Sequence, residues 1–231
     1  YVILIPIIIV AICLLISWFF RHAKKVNKRG HAYKEKRSLG EELWYAIYVI
    51  FHPFDGFWDL KHENRGSVRG ALTFIGLTIV SFCFKYAGIN VFFEIIGVML
   101  PIMLFVTANW CLTTLFEGEG SFKDIFVATG YAVAPLPFMT ILSTALANVL
   151  TAEESGILTM INNIAYVWVG ILLFFGVMIT HDYQLGKNIL TIIGTIVGMI
   201  VIVFLVALFA TLIGKIISFI SNIITELSFR T

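Results

Sequence analysis

Six apolar runs, each long enough to cross a bilayer, leave this chain few ways to fold. They occupy roughly residues 1–20, 71–88, 91–116, 125–150, 157–180 and 189–214. An α-helix rises about 1.5 Å per residue, so about 20 apolar residues cross the hydrocarbon. Lipid offers the backbone no hydrogen bonds, so such runs must be helices unless they close into a barrel. The alternating pattern of barrel strands is absent. Of 231 residues, 59% are hydrophobic and 13% charged, against about 25% charged in soluble domains. The expectation is an all-α, polytopic transmembrane bundle of six spans. One is an N-terminal anchor and five form the main membrane domain.

The basic residues orient those spans. Eleven of the sixteen Lys and Arg lie between Arg21 and Arg69, and Lys123 and Lys187 fall in the loops at 117–124 and 181–188. If the first span runs outside to inside, all of these are cytoplasmic. Only Lys85, Lys215 and Arg230 remain on the other side, a strong positive-inside bias. Both termini are then extracytoplasmic and the protein belongs in the plasma membrane. The first run has no positive region before it and RHAKKVNKRG after it. That is a stop-transfer pattern rather than a signal peptide. With no initiating Met, it leads us to expect an extracytoplasmic domain upstream.

Residues 21–40 form a basic linker suited to anionic headgroups, each charge worth about 1 kcal/mol near the surface. Tyr33 alone stands among these charges, without an interleaved aromatic pattern, so nucleic acid is not an expected partner. Residues 41–69 begin with Glu41 and Glu42, which suit a helix N-terminus. The apolar run Leu43 to Phe51 is too short to span. Pro53 breaks it, Asp55-Gly56 turns, and Trp58 completes an aromatic-rich segment. This reads as a helix lying on the cytoplasmic interface, a bend at His52-Pro53, and a second short amphipathic piece. His52, Asp55, Asp59 and His62 do not fit a metal-ligand spacing. Cys13, Cys83 and Cys111 each sit in an apolar run and read as buried small hydrophobes. No cofactor is expected, and no catalytic motif appears; His181-Asp182 reads as a helix C-cap.

Polar residues inside the spans read first as interhelical glue. Asn109 and Thr113 share a helix face, and Asn162 and Asn163 sit early in the fifth span. Membrane Asn commonly bonds a neighbouring helix, for roughly 0.6–2 kcal/mol. The alternative is a polar solute path through these residues. Glu94 is placed at the outer interface. Gly194 and Gly198 have the GxxxG spacing of close helix packing.

The stretch EGEGSFKD (117–124) joins the third and fourth runs. It is too short for a domain, so those spans form an antiparallel hairpin. Gly118 and Gly120 are expected to permit the tight turn. Ser121 or Asp124 would cap the incoming helix. Glu117 and Glu119 are expected to pair with Lys or Arg from 21–69, or with Lys123. Pro135 and Pro137 then remove helical N–H groups that Tyr131 and Val133 would bond. The fourth span should be kinked or unwound between about Tyr131 and Pro137. It should pack closely on the third and fifth spans, with Thr129, Thr140 or Asn109 meeting a freed carbonyl.

An acidic, Gly-punctuated loop followed by GYAVAP (Gly130, Tyr131, Pro135) resembles the Yip family, the Ypt/Rab-interacting integral membrane proteins. HPFDGFWDLKHENRGS is similar to the cytoplasmic entry segment of bacterial members. The resemblance covers about 41–220. It implies five spans with a cytoplasmic start and an outside C-terminus, as the charges do, followed by an outside tail at 221–231. The chain differs from the eukaryotic pattern in its extra preceding span and in lacking a long cytosolic N-terminal domain, which speaks against Rab-GTPase binding. Bacterial members look like companions of ABC-type transporters. The resemblance therefore implies a non-enzymatic scaffold or accessory subunit with a membrane-protein partner. The rival reading is a transport protein with its path at the broken fourth span.

Overall fold

A computed structural model describes residues 38–63, 65–85, 90–113, 115–151 and 154–228. The expected anchor at 1–20, and the basic linker up to residue 37, lie outside the described residues. Eight helices follow in order: α1 (Leu39–Phe51), α2 (Pro53–His62), α3 (Val68–Lys85), α4 (Val91–Thr113), α5 (Phe122–Ala132), α6 (Pro135–Ala147), α7 (Ser155–Thr180) and α8 (Leu185–Ser228). Taking α5 and α6 together, five helical stretches among the described residues are long and apolar enough to cross a membrane. These are the second to sixth expected spans, with ends within a few residues except at α8. There the helix continues to Ser228, through most of the expected tail.

Local sequence sets the ends. Ser38 and Glu41 form a reciprocal capping box at α1, satisfying two of the orphan N–H groups of the first turn. Ser121 and Asp124 do the same at α5. Pro53 occupies the first position of α2, where its missing N–H costs nothing. Helix α7 stops in a Schellman arrangement. The Tyr183 N–H returns to the Met178 carbonyl at 2.8 Å and that of Asp182 to Ile179 at 3.3 Å, with Asp182 at φ 54°.

The bundle is apolar outside as well as inside. Its core joins Val49 and Phe57 of the α1–α2 segment, Phe74 of α3, Val106 of α4, Tyr131 of α5 and Leu172 of α7. Exposed apolar side chains such as Phe84, Phe93, Val167 and Phe204 cover the perimeter, as lipid-facing surfaces require. Helices α5 and α6 lie between α3 and α7, and α8 packs along α4. The α4–α8 contact uses the GxxxG pair: Gly194 faces Leu112 and Gly198 faces Ala108. The fourth span thus leans mainly on the second and fifth, and only α5 touches the third closely.

The entry segment has the expected bend at His52-Pro53, and α1 and α2 fold back on each other across it, but Asp55-Gly56, read as a turn, lies inside α2. Gly56 presses on Val49, where a Cβ would meet the Val49 Cα at 2.8 Å. The Tyr45 hydroxyl closes the pair by donating to Asp59 Oδ2 at 2.7 Å. The aromatic density of this stretch is real, but part of it is internal packing: Tyr45 and Phe57 are buried.

The double proline gives a break without unwinding. Helix α5 ends at Ala132 and α6 begins at Pro135, while Val133 (φ −78°, ψ −13°) and Ala134 (φ −50°, ψ −32°) keep helical torsions. The Tyr131 carbonyl, deprived of Pro135, accepts from the Ala134 N–H at 3.2 Å. That of Val133, deprived of Pro137, accepts from Leu136 at 3.0 Å. A one-residue tightening to 3₁₀ bonds therefore meets both carbonyls. Two of the side chains proposed for that task do other work: Thr129 bonds the Ile125 carbonyl of its own helix, and Asn109 bonds Thr195 and His181.

Candidate functional site: a polar layer at the basic end

One end of the bundle gathers α1 and α2, the loop before α5 and the loop after α7. Lys61, Arg65, Arg69, Lys123 and Lys187 belong to this end, and two polar constructions hold it together. The first runs through His181. The Gly120 N–H donates to His181 Nδ1 at 3.2 Å. That nitrogen is therefore the acceptor, and Nε2 carries the hydrogen toward Asn109 Oδ1 at 2.8 Å. Asn109 Nδ2 donates to Thr195 Oγ1 at 3.0 Å, and Thr195 donates to the Thr191 carbonyl at 2.8 Å. One directed chain thus links the loop, α7, α4 and α8. His181, Asn109, Thr191 and Thr195 are all buried. Burial, reinforced by the Lys61 charge and opposed by Asp124, lowers the His181 pKa to about 4. With both ring nitrogens committed, the imidazole fastens a loop.

The glycines of EGEG serve this fastening rather than the turn. The residue at positive φ is Glu117, at 49°. A Cβ on Gly118 would strike the Tyr183 hydroxyl and the His181 ring, and one on Gly120 would meet Thr180 Cγ2 at 2.8 Å and the His181 ring. The Tyr183 ring stacks on His181 with centroids 5.0 Å apart. Glycine is needed here for close approach. Glu117 itself is exposed, and Glu119 pairs with Lys61 at 3.0 Å, within the basic stretch named for it.

The second construction seats the α1–α2 hairpin. Glu42 is buried; it accepts from the Ser67 hydroxyl and from Arg69 Nη2 at 2.9 Å. Arg65, also buried, pairs through Nε with Glu63 at 2.8 Å and Asp59 at 3.6 Å. Its guanidinium lies over the Tyr45 ring, 5.1 Å from the centroid. Burial first, and then the hydrogen bond to Asp59, raises the Tyr45 pKa, so its hydroxyl stays a donor. The family-like residues close the hairpin from below. Gly130 lies against Ala71, where a Cβ would meet the Ala71 Cα at 2.7 Å. Tyr131 is fully buried, contacts Phe74 edge-on and donates to the Glu42 carbonyl at 3.3 Å. Gly66 and Gly70 leave room for its ring.

The remaining candidates are scattered. Pro135 and Pro137 are buried. Pro53 is half-buried at the hairpin turn, and Trp58 is exposed and stacked on His62. Asn162 sits at the opposite end, its Oδ1 3.3 Å from both Lys85 Nζ and Ser143 Oγ. Asn163 is exposed on the bundle's surface. The three asparagines therefore do not line one path. Sequence reasoning missed the buried Glu42 and Arg65 and the part played by His181. The usable signal was two glycines opposite two aromatic rings, and it needs the fold to be seen.

Apolar helices of spanning length around a buried break, clamped at one end by charged and polar side chains, define a multi-pass helical membrane protein. The family model described as Yip1 domain matches residues 47–208, and the chain belongs to that family. No curated protein and no solved structure matches the chain.

Proposed function

We propose that this protein is a non-enzymatic scaffold or accessory subunit of a multicomponent membrane complex, with an ABC-type transporter as its partner. It sits in the plasma membrane, with the polar layer cytoplasmic and both termini outside. The observation that carries this reading is the self-sufficiency of the break. Every residue from Ile125 to Pro137 is buried, and the carbonyls the prolines release bond within the same helix. A broken helix that binds a solute instead turns free backbone groups toward a cavity. Asn109, which a solute path would need, is spent on His181 and Thr195. The positive-inside bias supports the sidedness.

The test is affinity purification of the tagged full chain from its native membranes in mild detergent. The expected result is near-stoichiometric recovery of an ABC-type ATPase and its membrane subunit. Recovery of the chain alone, together with solute flux through it in proteoliposomes, would overturn the proposal in favour of transport.

A further inference from the structure

The α1–α2 hairpin is tied to the bundle at three levels, and these give it a direction. At its start, Glu42 is bonded to Ser67 and Arg69, which flank the first residue of α3. At its end, Lys61 reaches the loop at Glu119. Both arms therefore begin and finish at the basic end. Between them, Phe57 lies against Gly176 of α7, and the Ile50 carbonyl accepts from Trp168 Nε1 at 3.2 Å. Gly176 is four residues, or about 6 Å, from the last residue of α7, whereas Trp168 is twelve residues, or about 18 Å, away. The turn between α1 and α2 thus sits farther along the spanning helix than either arm's outer end.

The turn presents an aromatic surface. Phe51, Phe54 and Trp58 are 48%, 56% and 47% exposed, while Tyr45, Val49, Phe57 and Leu60 on the opposite side are buried. His52 and Asp55, also exposed, flank the aromatics. Ring faces suit acyl chains rather than bulk water, and the carboxylate and imidazole beside them favour the headgroup side of that region. The exposed Arg69 lies at the shallower level, where lipid phosphates would be.

We propose that the α1–α2 hairpin is a lipid anchor. Its turn dips below the headgroups of the leaflet at the basic end, and Phe51, Phe54 and Trp58 contact acyl chains. The hairpin is wedged against α7, rather than resting flat on the surface. Lys61 then couples the lipid-seated hairpin to the loop held by His181. This anchor does not depend on the identity of any protein partner.

The test uses the full chain in nanodiscs with its native cysteines replaced and an environment-sensitive fluorophore at one introduced cysteine. Phe54→Cys is compared with Gln184→Cys in the exposed loop at the basic end and Val167→Cys on the lipid face of α7. The fluorophore at 54 is expected to be blue-shifted relative to 184. It should lose intensity to lipids carrying a nitroxide at acyl carbon 5, and keep its intensity in aqueous iodide. A profile at 54 matching that at 184 would overturn the proposal. So would protection from both quenchers, which would mean that protein covers the turn. Trp58→Cys is the second variant and should repeat the result at 54.

Discussion

Removing Asn109 and His181, singly and together, measures whether the buried polar chain acts as one unit. Asn109→Ala deletes the acceptor of the His181 Nε2–H bond at 2.8 Å and the donor to Thr195 at 3.0 Å. Thr195 keeps its bond to Thr191, so it loses little. The His181 ring is 1% exposed, so its Nε2–H is stranded without water, at about 1–3 kcal/mol for a buried donor. Averages within membrane bundles are lower, about 0.6 kcal/mol per interhelical bond, because the unfolded chain also finds partners. A value near 2 kcal/mol is expected for Asn109→Ala. His181→Ala strands both the Gly120 N–H and Asn109 Oδ1 and removes the ring under Tyr183, so about 3 kcal/mol is expected. The single variants share one bond, and the double variant should fall short of their sum by about 1 kcal/mol. Reversible unfolding in mixed micelles gives the three values, and hydrogen exchange at Gly120 reports the loop directly. Additivity within about 0.3–0.5 kcal/mol is what independent sites show and would refute the coupled chain.

Acidification tests the same group from another side. Because the folded-state pKa of His181 lies near 4, below its ordinary 6.5, stability is fully present above pH 6.5 and falls as pH drops toward 4. His181→Asn should flatten that part of the stability-versus-pH curve, and an unchanged curve would count against the neutral ring. Gly130→Leu would drive side-chain atoms into the Ala71 backbone and should cost at least about 3 kcal/mol of thermal stability by overpacking. Gly76→Leu, with nothing within 4 Å, should be near neutral by the same measurement. Lys61→Ala should cost less than about 1 kcal/mol in an equilibrium unfolding series, since Glu119 is 66% exposed and such pairs are weak; a larger loss would show that the pair is better shielded than it looks. Pro135→Ala should shift stability by less than about 1 kcal/mol, because the Tyr131 carbonyl is already bonded, and should leave partner recovery intact; lost recovery from folded protein would make the break a working hinge.

Length and hydropathy made the spans legible because a bilayer sets one length for every crossing helix. α3, α4 and α7 are therefore where the sequence places them. Caps were legible for the same local reason: Ser121 and Asp124 stand three apart before an apolar run. Pro135 and Pro137 announced a break, but not its form. Whether a freed carbonyl is met by a side chain or by a neighbouring N–H depends on a few tenths of an ångström of backbone. The glycines of EGEG were misread because two demands have the same sequence signature. A turn needs positive φ, which Glu117 supplies; a tight docking needs a missing Cβ, which Gly118 and Gly120 supply. Long-range polar partners were the least legible. Glu42 and Arg69 are 27 residues apart, Asn109 and His181 are 72 apart, and no periodicity relates them. Only the seating of α1 on the start of α3, and of the loop after α7 on α4, brings each pair within bonding distance. Once there, a buried donor without its acceptor costs more than the bond contributes. The polar layer therefore constrains the bundle most where its sequence signal is weakest, and substitutions at Asn109 and His181 should report on helix arrangement more sharply than any change within the apolar runs.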